Sequence, residues 1–233
     1  MRPTVLLFDI DGTLVTTGGV GRRALERVFA ELYGSQGALA HIRLDGMTDR
    51  AIVRSGLTAV GAPSGAEEID RVLTAYVEIL EDEVRRADPA RYYLHRGMER
   101  ALDRAAARRE VALGLGTGNI QEGARVKLER VGVYDRFRFG GFGSDHEERV
   151  ELIRRGAERG AALLGAPLEE CRVVIVGDTP KDVAAAKGIG AECVGVGTGS
   201  FTPEQLIAAG ADAAFKDLGE PGAIEAVMGE PPA

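Results

Sequence analysis

Two aspartates separated by one residue stand directly after an apolar run near the N-terminus, within residues 6–13. Residues 5–8 have the continuous apolar pattern of a strand buried on both faces of a parallel sheet. Asp9 and Asp11 would share one face if the extended backbone continued. Two carboxylates this close repel each other, so the spacing indicates either a divalent cation or two carboxyl groups with different protonation states.

The same stretch has a simpler explanation, because Asp and Gly are common in turns that bind no ligand. A calcium-binding loop is excluded by its spacing, since the sixth and twelfth positions counted from Asp9 are Leu14 and Val20 instead of glycine and glutamate. Whether the aspartates form a site or only a turn therefore depends on what other segments bring to the same place.

The elements that must position these carboxylates follow from the apolar periodicity. Between Thr16 and Pro89 the apolar residues have helical spacing and no strand signal, which predicts three or four helices packed as a small bundle. After Pro89, helices alternate with short strands, which predicts right-handed crossovers and a parallel sheet. The expected fold is α/β, with a doubly wound, Rossmann-like parallel sheet core (residues 1–15 and 90–233) and a helical cap domain (residues 16–89) inserted after the first strand.

Within the core the expected strands are short and apolar, and each of the first four precedes a helix. They are residues 5–8, 111–115, 137–141, 173–176 and 191–196, with an edge strand at 213–215. We expect the tail after Met228, which contains prolines, to be frayed.

Polar side chains also follow two later strands. Residues 116–119 offer the hydroxyl of Thr117 and the N-terminus of the next helix, a combination that suits a phosphate oxygen. The strand that ends at Gly177 is followed by Asp178 and Asp182. Each group alone could be a loop or a helix cap. Ligands of doubly wound sheets bind beyond the carboxyl ends of the strands, so this coincidence at three strand ends predicts one functional site.

Composition narrows the class of protein. The chain has 233 residues, 45% of them hydrophobic and 28% charged, which is ordinary for a globular protein. No apolar run approaches the length of a membrane span, and no secretory signal pattern precedes the first strand, so we expect a cytoplasmic location and no membrane partner. Cys171 and Cys193 lie beside apolar strands and are expected to be buried, reduced thiols. The net charge of −7 comes without a basic stripe, so we expect no nucleic-acid partner.

Taken together, these motifs resemble those of the haloacid dehalogenase superfamily of phosphohydrolases over nearly the whole chain. That superfamily combines an Asp-x-Asp-Gly-Thr sequence after one strand, a threonine or serine after a second, a basic residue and an acidic pair. The segments at Asp9, Thr117 and Asp178 match this pattern. The helical insertion after the first motif is similar to the cap of the phosphoglycolate phosphatase and β-phosphoglucomutase branch.

The resemblance implies that Asp9 attacks phosphorus and forms an aspartyl-phosphate, while Asp11 protonates the leaving alkoxide and then activates water. It implies Mg²⁺ held by the Asp9 side chain, the Asp11 backbone carbonyl and Asp178, with Asp182 acting through water. Thr117 would donate a hydrogen bond to a phosphoryl oxygen. The expected function is Mg²⁺-dependent hydrolysis of the phosphate monoester of a small metabolite, by a monomer or weak homodimer.

Substrate choice in this branch depends on the cap, here on the loop at residues 44–50. A basic residue in that loop would hold a second anionic group, but Thr48 and Asp49 have a simpler explanation as the cap and first turn of the next helix. The sequence therefore leaves the substrate open. The residues expected to contact it are Thr48, Asp49 and Arg50 from the cap, and Gly118 and Asn119 from the core.

Several other functions deserve comparison. A phosphosugar mutase would use the same core and cap and differ by protecting the aspartyl-phosphate from water. A dehalogenase would not need Asp11, and a phosphonatase would need a cap lysine, of which residues 18–89 contain none. A nucleotide-binding module without catalysis is disfavoured because the third glycine of its motif would fall at Asn119.

The chain departs from this branch at the basic residue, since the usual Lys-Pro pair after the third core strand is missing from residues 143–149. Some cation should still neutralise the aspartyl-phosphate and steady Asp9. Lys127 is our candidate because it lies on an otherwise apolar helical stripe. Arg149 and His146 are its rivals by position, and we expect Lys127 to contribute more than Arg149.

Overall fold

The computed structural model describes residues 2–231. Its strands and helices alternate along most of the chain. The strands are β1 (Thr4–Phe8), β2 (Val15–Thr16), β3 (Tyr93–Leu94), β4 (Val111–Thr117), β5 (Gly140–Phe142), β6 (Arg172–Gly177), β7 (Glu192–Val196) and β8 (Ala213–Phe215). The helices are α1 (Val20–Tyr33), α2 (Asp49–Ala59), α3 (Ala66–Arg86), α4 (Met98–Ala106), α5 (Gln121–Glu129), α6 (Arg149–Leu164), α7 (Pro180–Gly188), α8 (Pro203–Ala209) and α9 (Ala223–Met228).

Six strands form one parallel sheet in the order β5-β4-β1-β6-β7-β8. β1 lies at its centre, where Phe8 pairs with Leu115 on one side and Val176 on the other. Every residue of β1 is buried because helices cover both faces of the sheet. The chain winds outward from β1 to β5 and then returns to β6, so the strand order reverses between β1 and β6, which is where doubly wound sheets bind ligands. The predicted α/β fold is confirmed.

The third core strand differs from its predicted position at residues 137–141. It begins at Gly140, because the chain first makes a short 3-10 turn at Tyr134–Arg136. Phe137 is buried, and it packs on one side of the sheet while Phe139 packs on the other, so their apolar signal precedes the strand. Glycine is required in the strand itself, since a Cβ on Gly141 would lie 1.8 Å from the carbonyl oxygen of Leu152.

Between β2 and β3 the chain forms α1, α2 and α3. β2 and β3 pair with each other antiparallel, so the two segments that connect these helices to the sheet lie side by side. The three helices share one hydrophobic cluster, which Ile120 and Val126 from the α5 region join. The pairing of β2 with β3 was not predicted, because two residues are too few to show a period. The division into two domains stays a prediction.

Three further predictions concern the two cysteines, a membrane span and the C-terminal tail. Cys171 and Cys193 are buried and free of disulfides, as expected. Within residues 2–231, no helix combines the length and apolarity that a membrane span requires. The tail after Met228 was expected to be frayed, but Glu230 forms ion pairs with Arg104 and Arg108. Residues 232 and 233 lie outside the described part of the chain.

Candidate active site

The end of β1 places the two aspartates of the first motif in different surroundings. The Asp9 amide donates to the carbonyl of Val176 at 2.9 Å, which holds Asp9 at the junction of β1 and β6. Asp9 is buried, whereas the side chain of Asp11 is 40% exposed. Gly12 turns the chain with a φ of 81°, and a Cβ there would lie 2.4 Å from Asp178 Oδ2. Glycine at this position therefore lets the first motif approach the acidic pair after β6.

Three carboxylates meet beneath this turn. One oxygen each from Asp9, Asp178 and Asp182 lie within 4.8 Å of one another. Burial raises the pKa of Asp9 to about 6 against the opposing effect of Arg149, and the Asp182 charge adds to the rise. Burial, together with the charges of Asp182 and Asp9, raises the pKa of Asp178 well above its ordinary value. Burial and mutual repulsion therefore disfavour the ionised forms of Asp9 and Asp178 in the absence of a further cation.

Arg149 is the cation in contact with Asp9. It begins α6 and is buried, and its Nη2 lies 2.9 Å from Asp9 Oδ2 and also contacts Asp182 Oδ1. Its Nη1 donates to the carbonyl of Gly46 at 3.3 Å. Its Nε has no hydrogen-bond partner in the described part of the chain. One guanidinium thus joins the first motif, the acidic pair and the cap loop.

Lys127 contacts the other aspartate. Its Nζ lies 2.6 Å from Asp11 Oδ2 and 2.6 Å from Asn119 Oδ1, and the side chain is only 4% exposed. Asp11 also accepts hydrogen bonds from Asn119 Nδ2 at 2.9 Å and from Thr17 Oγ1 at 3.2 Å. Burial favours the neutral acid, but Lys127, Asn119 and Thr17 together lower the pKa of Asp11 below its ordinary value.

These contacts differ from the expectation that Lys127 is the cation beside Asp9. The ammonium group of Lys127 instead contacts Asp11, the more exposed of the two aspartates. Arg149 reaches Asp9 because α6 begins at the same edge of the sheet. The third candidate, His146, is exposed, and its Nδ1 accepts a hydrogen bond from the Glu148 amide in the loop before α6.

The end of β4 supplies the expected threonine. Thr117 is fully buried, and its Oγ1 accepts from the backbone amide of Asn119 at 3.2 Å and from Asn119 Nδ2 at 2.9 Å. Its hydroxyl hydrogen donates to Asp9, and this hydrogen bond lowers the pKa of Asp9 in opposition to burial. A Cβ on Gly118 would lie 2.4 Å from the carbonyl oxygen of Met47, so glycine lets the cap loop approach the core.

Asp182 is more fully engaged than the other acids. Its Oδ2 accepts from the backbone amide of Thr179 at 3.0 Å and from the Thr179 hydroxyl at 2.7 Å, as part of a capping box at the start of α7. Its Oδ1 contacts Arg149. Both oxygens thus have partners, so the geometry suits Asp182 to holding Arg149 and the α7 terminus in place.

The cap loop brings one of its three expected residues to the cavity. Thr48 caps α2 by accepting from the Ala51 amide at 3.3 Å, and its hydroxyl donates to the carbonyl of Glu147. Arg50 forms an ion pair with Asp70 in a separate depression. Asp49 is buried and lines a cavity of about 300 Å³ above Asp9 and Asp11. Other residues of this cavity were not predicted, because in the sequence they resemble helix surface or core: Gly21, Arg22 and Tyr76.

The donor set can be tested against a metal ion. Asp9, Asp178 and the carbonyl of Asp11 offer only oxygen atoms, which hard divalent cations prefer. Asp178 is fixed by a hydrogen bond from Thr13 Oγ1 at 3.0 Å, and a Cβ on Gly199 would lie 1.8 Å from its Oδ2. Burial raises the pKa values of Asp9 and Asp178, and the charge of Asp182 raises both further, so a cation bound here would favour the ionised carboxylates. The residues therefore fit a divalent cation.

Solved structures with the same fold include several from bacteria. An aspartate-to-asparagine variant of CbbY from Rhodobacter sphaeroides, in complex with xylulose-(1,5)bisphosphate, is 20% identical, with a TM-score of 0.71 and coverage of 95% of this chain and 97% of that one. A hydrolase from Pseudomonas syringae is 19% identical, with a TM-score of 0.67 and coverage of 93% and 94%. A candidate β-phosphoglucomutase from Thermotoga maritima is 24% identical, with a TM-score of 0.59 and coverage of 97% and 99%.

None of the curated protein sequences matches the chain significantly. The family model of the haloacid dehalogenase-like hydrolases matches residues 6–196, a span that contains Asp9, Asp11, Asp178 and Asp182. The chain therefore belongs to the haloacid dehalogenase-like hydrolases, a family of enzymes.

Proposed function

We propose that the protein is a Mg²⁺-dependent phosphatase that hydrolyses the phosphate monoester of a small molecule through an aspartyl-phosphate on Asp9. The observation that carries this proposal is the separate pairing of two neighbouring carboxylates. Asp9 is buried beside Arg149 and Asp178, whereas Asp11 is held at the cavity surface by Lys127. One carboxylate is placed to bond to phosphorus and the other to exchange protons, which is the division of labour that such a reaction needs.

In the first step an oxygen of Asp9 bonds to phosphorus and the bond from phosphorus to the leaving oxygen breaks. The pair formed by Asp11 and Lys127 supplies the proton that the leaving alkoxide takes. In the second step water attacks phosphorus, the same pair receives its proton, and phosphate leaves as the Asp9 carboxylate is restored. Thr117, whose hydroxyl lies beside Asp9, would donate to a phosphoryl oxygen once the ester is bound, and Arg149 keeps Asp9 in position.

Asp9, Asp178 and the carbonyl of Asp11 would hold Mg²⁺, which would offset the negative charge of the phosphoryl oxygens. Asp182 would act indirectly, because both of its oxygens already accept hydrogen bonds. Carboxylate oxygens of Asp9, Asp178 and Asp182 within 4.8 Å of one another support a hard divalent cation at this place.

The test is phosphate release from an aryl phosphate by the purified protein, with Mg²⁺ and with excess chelator. We expect release with Mg²⁺, none with chelator, and none from Asp9→Asn, since a neutral amide does not attack phosphorus. Asp135→Asn, which changes an exposed aspartate, is the matched control and should retain activity. Acid-quenched wild-type protein should yield a phosphorylated peptide that contains Asp9.

Release that persists in chelator or in Asp9→Asn would contradict the proposal. A phosphosugar mutase is the alternative that the same site permits. The protein from Thermotoga maritima that shares the fold is a candidate β-phosphoglucomutase, which is the reason to test this alternative. A mutase would convert one sugar phosphate into another without releasing phosphate, so product analysis on sugar phosphates separates the two.

A further inference from the structure

Gly21, in the first turn of α1, lies against two polar atoms on the cap side of the cavity. A Cβ at Gly21 would lie 3.2 Å from Lys127 Nζ and 3.4 Å from the hydroxyl of Tyr76, closer than side chains normally pack. Glycine here therefore lets Lys127 and Tyr76 approach α1 at the wall of the cavity.

Two groups on the wall of this cavity have unused hydrogen-bonding capacity. Asp49 Oδ2 accepts from the Ile120 amide at 2.8 Å, but Oδ1 accepts no hydrogen bond from residues 2–231. Tyr76 is fully buried and also lines the cavity, and within the same residues its hydroxyl makes no hydrogen bond. Buried polar groups are nearly always hydrogen-bonded, so these two are suited to a partner that enters the cavity.

The charges around the cavity do not favour a second anion. Its three lining cations are already engaged: Arg149 with Asp9, Lys127 with Asp11, and Arg22 with Glu26 and two backbone carbonyls. A negatively charged group on the leaving alcohol would meet the Asp49 carboxylate without an unpaired cation to offset it, and such repulsion is strong where water is largely excluded.

We propose, on the basis of the phosphatase activity proposed above, that the substrate's leaving group is an uncharged alcohol with a further hydroxyl. That hydroxyl donates to the Asp49 carboxylate on the cavity wall. Leu25 and Ile52, which also line the cavity, pack against the carbon skeleton. Esters that carry a second phosphate or a carboxylate are poor substrates.

The test compares two esters of similar size, glycerol 3-phosphate and 3-phosphoglycerate, in which a hydroxymethyl group is replaced by a carboxylate. The readout is the ratio of their kcat/KM values, because damage to the shared phosphoryl chemistry cancels in a ratio. We expect wild type to favour glycerol 3-phosphate by about tenfold or more, from the repulsion of like charges at short range. Asp49→Asn keeps an oxygen for the Ile120 amide and should reduce the preference to about threefold or less.

A control variant sharpens the result. Asp70→Asn removes the same charge outside the cavity and should leave the ratio unchanged. A wild-type ratio near one, a preference for 3-phosphoglycerate, or an unchanged ratio in Asp49→Asn would overturn the inference.

An aryl phosphate assayed in parallel separates this inference from the proposed function. If the aryl phosphate is hydrolysed but glycerol 3-phosphate is not preferred, only the specificity is overturned. If no ester is hydrolysed, the proposed function fails and the specificity fails with it.

Discussion

The ammonium nitrogen of Lys127 lies 2.6 Å from Asp11 Oδ2, on a side chain that is almost completely buried, while Asp11 itself faces the cavity. Asn119 also holds the ammonium group in place, because its Oδ1 accepts a hydrogen bond from Lys127 Nζ at 2.6 Å. Asp11 can therefore contact a substrate while its proton affinity is set by a residue that is hidden from solvent.

Replacement of Lys127 by methionine tests this relationship. Without the ammonium the pKa of Asp11 should rise, because burial would no longer be opposed by a nearby positive charge. The ionised form that accepts a proton from water would then be populated only at higher pH. We expect kcat to fall by about a hundredfold or more and the acidic limb of its pH profile to move upward. Lys216→Met, at an exposed lysine, is the control; an unmoved acidic limb would remove Lys127 from the proton transfer.

Arg149→Ala should have the larger effect, which reverses the ranking expected from sequence. It leaves Asp9 and Asp182 buried without their cation, and loss of one partner of a buried ion pair costs about 3–5 kcal/mol. We expect a lower free energy of unfolding in urea and a greater loss of kcat than in Lys127→Met. Arg149→Lys should restore part of both, and Arg154→Ala on the same helix should change neither. A smaller loss of kcat in Arg149→Ala than in Lys127→Met would return the ranking to its original order.

The sequence predicts which residues meet at the strand ends, because their positions depend only on the backbone. Apolar runs identify β1, β4 and β6, and parallel pairing brings the residues after them to one edge. Asp9, Thr117 and Asp178 meet there whatever their rotamers. The cations could not be assigned in this way, since Arg149 and Lys127 reach their partners through long side chains whose directions depend on how α5 and α6 pack.

The residues that line the cavity could not be predicted from the sequence for a different reason. Tyr76 lies on the apolar stripe of α3, where a tyrosine resembles any other core residue. Gly21 gives no signal either, because its importance comes from Lys127, which is more than a hundred residues away in the chain. Asp49 had two explanations. The structure shows that it lies in the first turn of α2 and that it also lines the cavity, while contact with a substrate stays a prediction.

Without metal, stability should fall as the pH rises through the pKa of Asp9. That pKa is about 6, above the ordinary value of 3.8, because burial disfavours the charged form. The folded state therefore holds the proton more tightly than the unfolded state, and ionisation of Asp9 removes up to about 3 kcal/mol of stability between roughly pH 4 and pH 7.

Asp9→Asn should escape this loss. In chelator, its free energy of unfolding should exceed that of wild type by more at about pH 7.5 than at about pH 4.5. Urea titrations of both proteins at the two pH values measure the difference. Asp135→Asn should follow wild type at both. If the gap between Asp9→Asn and wild type is the same at the two pH values, burial has not raised the pKa of Asp9.

Mg²⁺ should stabilise the folded protein independently of turnover. A cation that binds only the folded state adds about 2.7 kcal/mol at a hundredfold excess over its Kd, so the melting temperature should rise with Mg²⁺ concentration at neutral pH. Asp178→Asn should abolish the rise, because it removes a carboxylate that would bind the cation directly. Asp182→Asn should melt at a lower temperature yet keep a Mg²⁺-dependent rise, since both Asp182 oxygens already contact Thr179 and Arg149. Loss of the rise in Asp182→Asn but not in Asp178→Asn would exchange their roles at the metal.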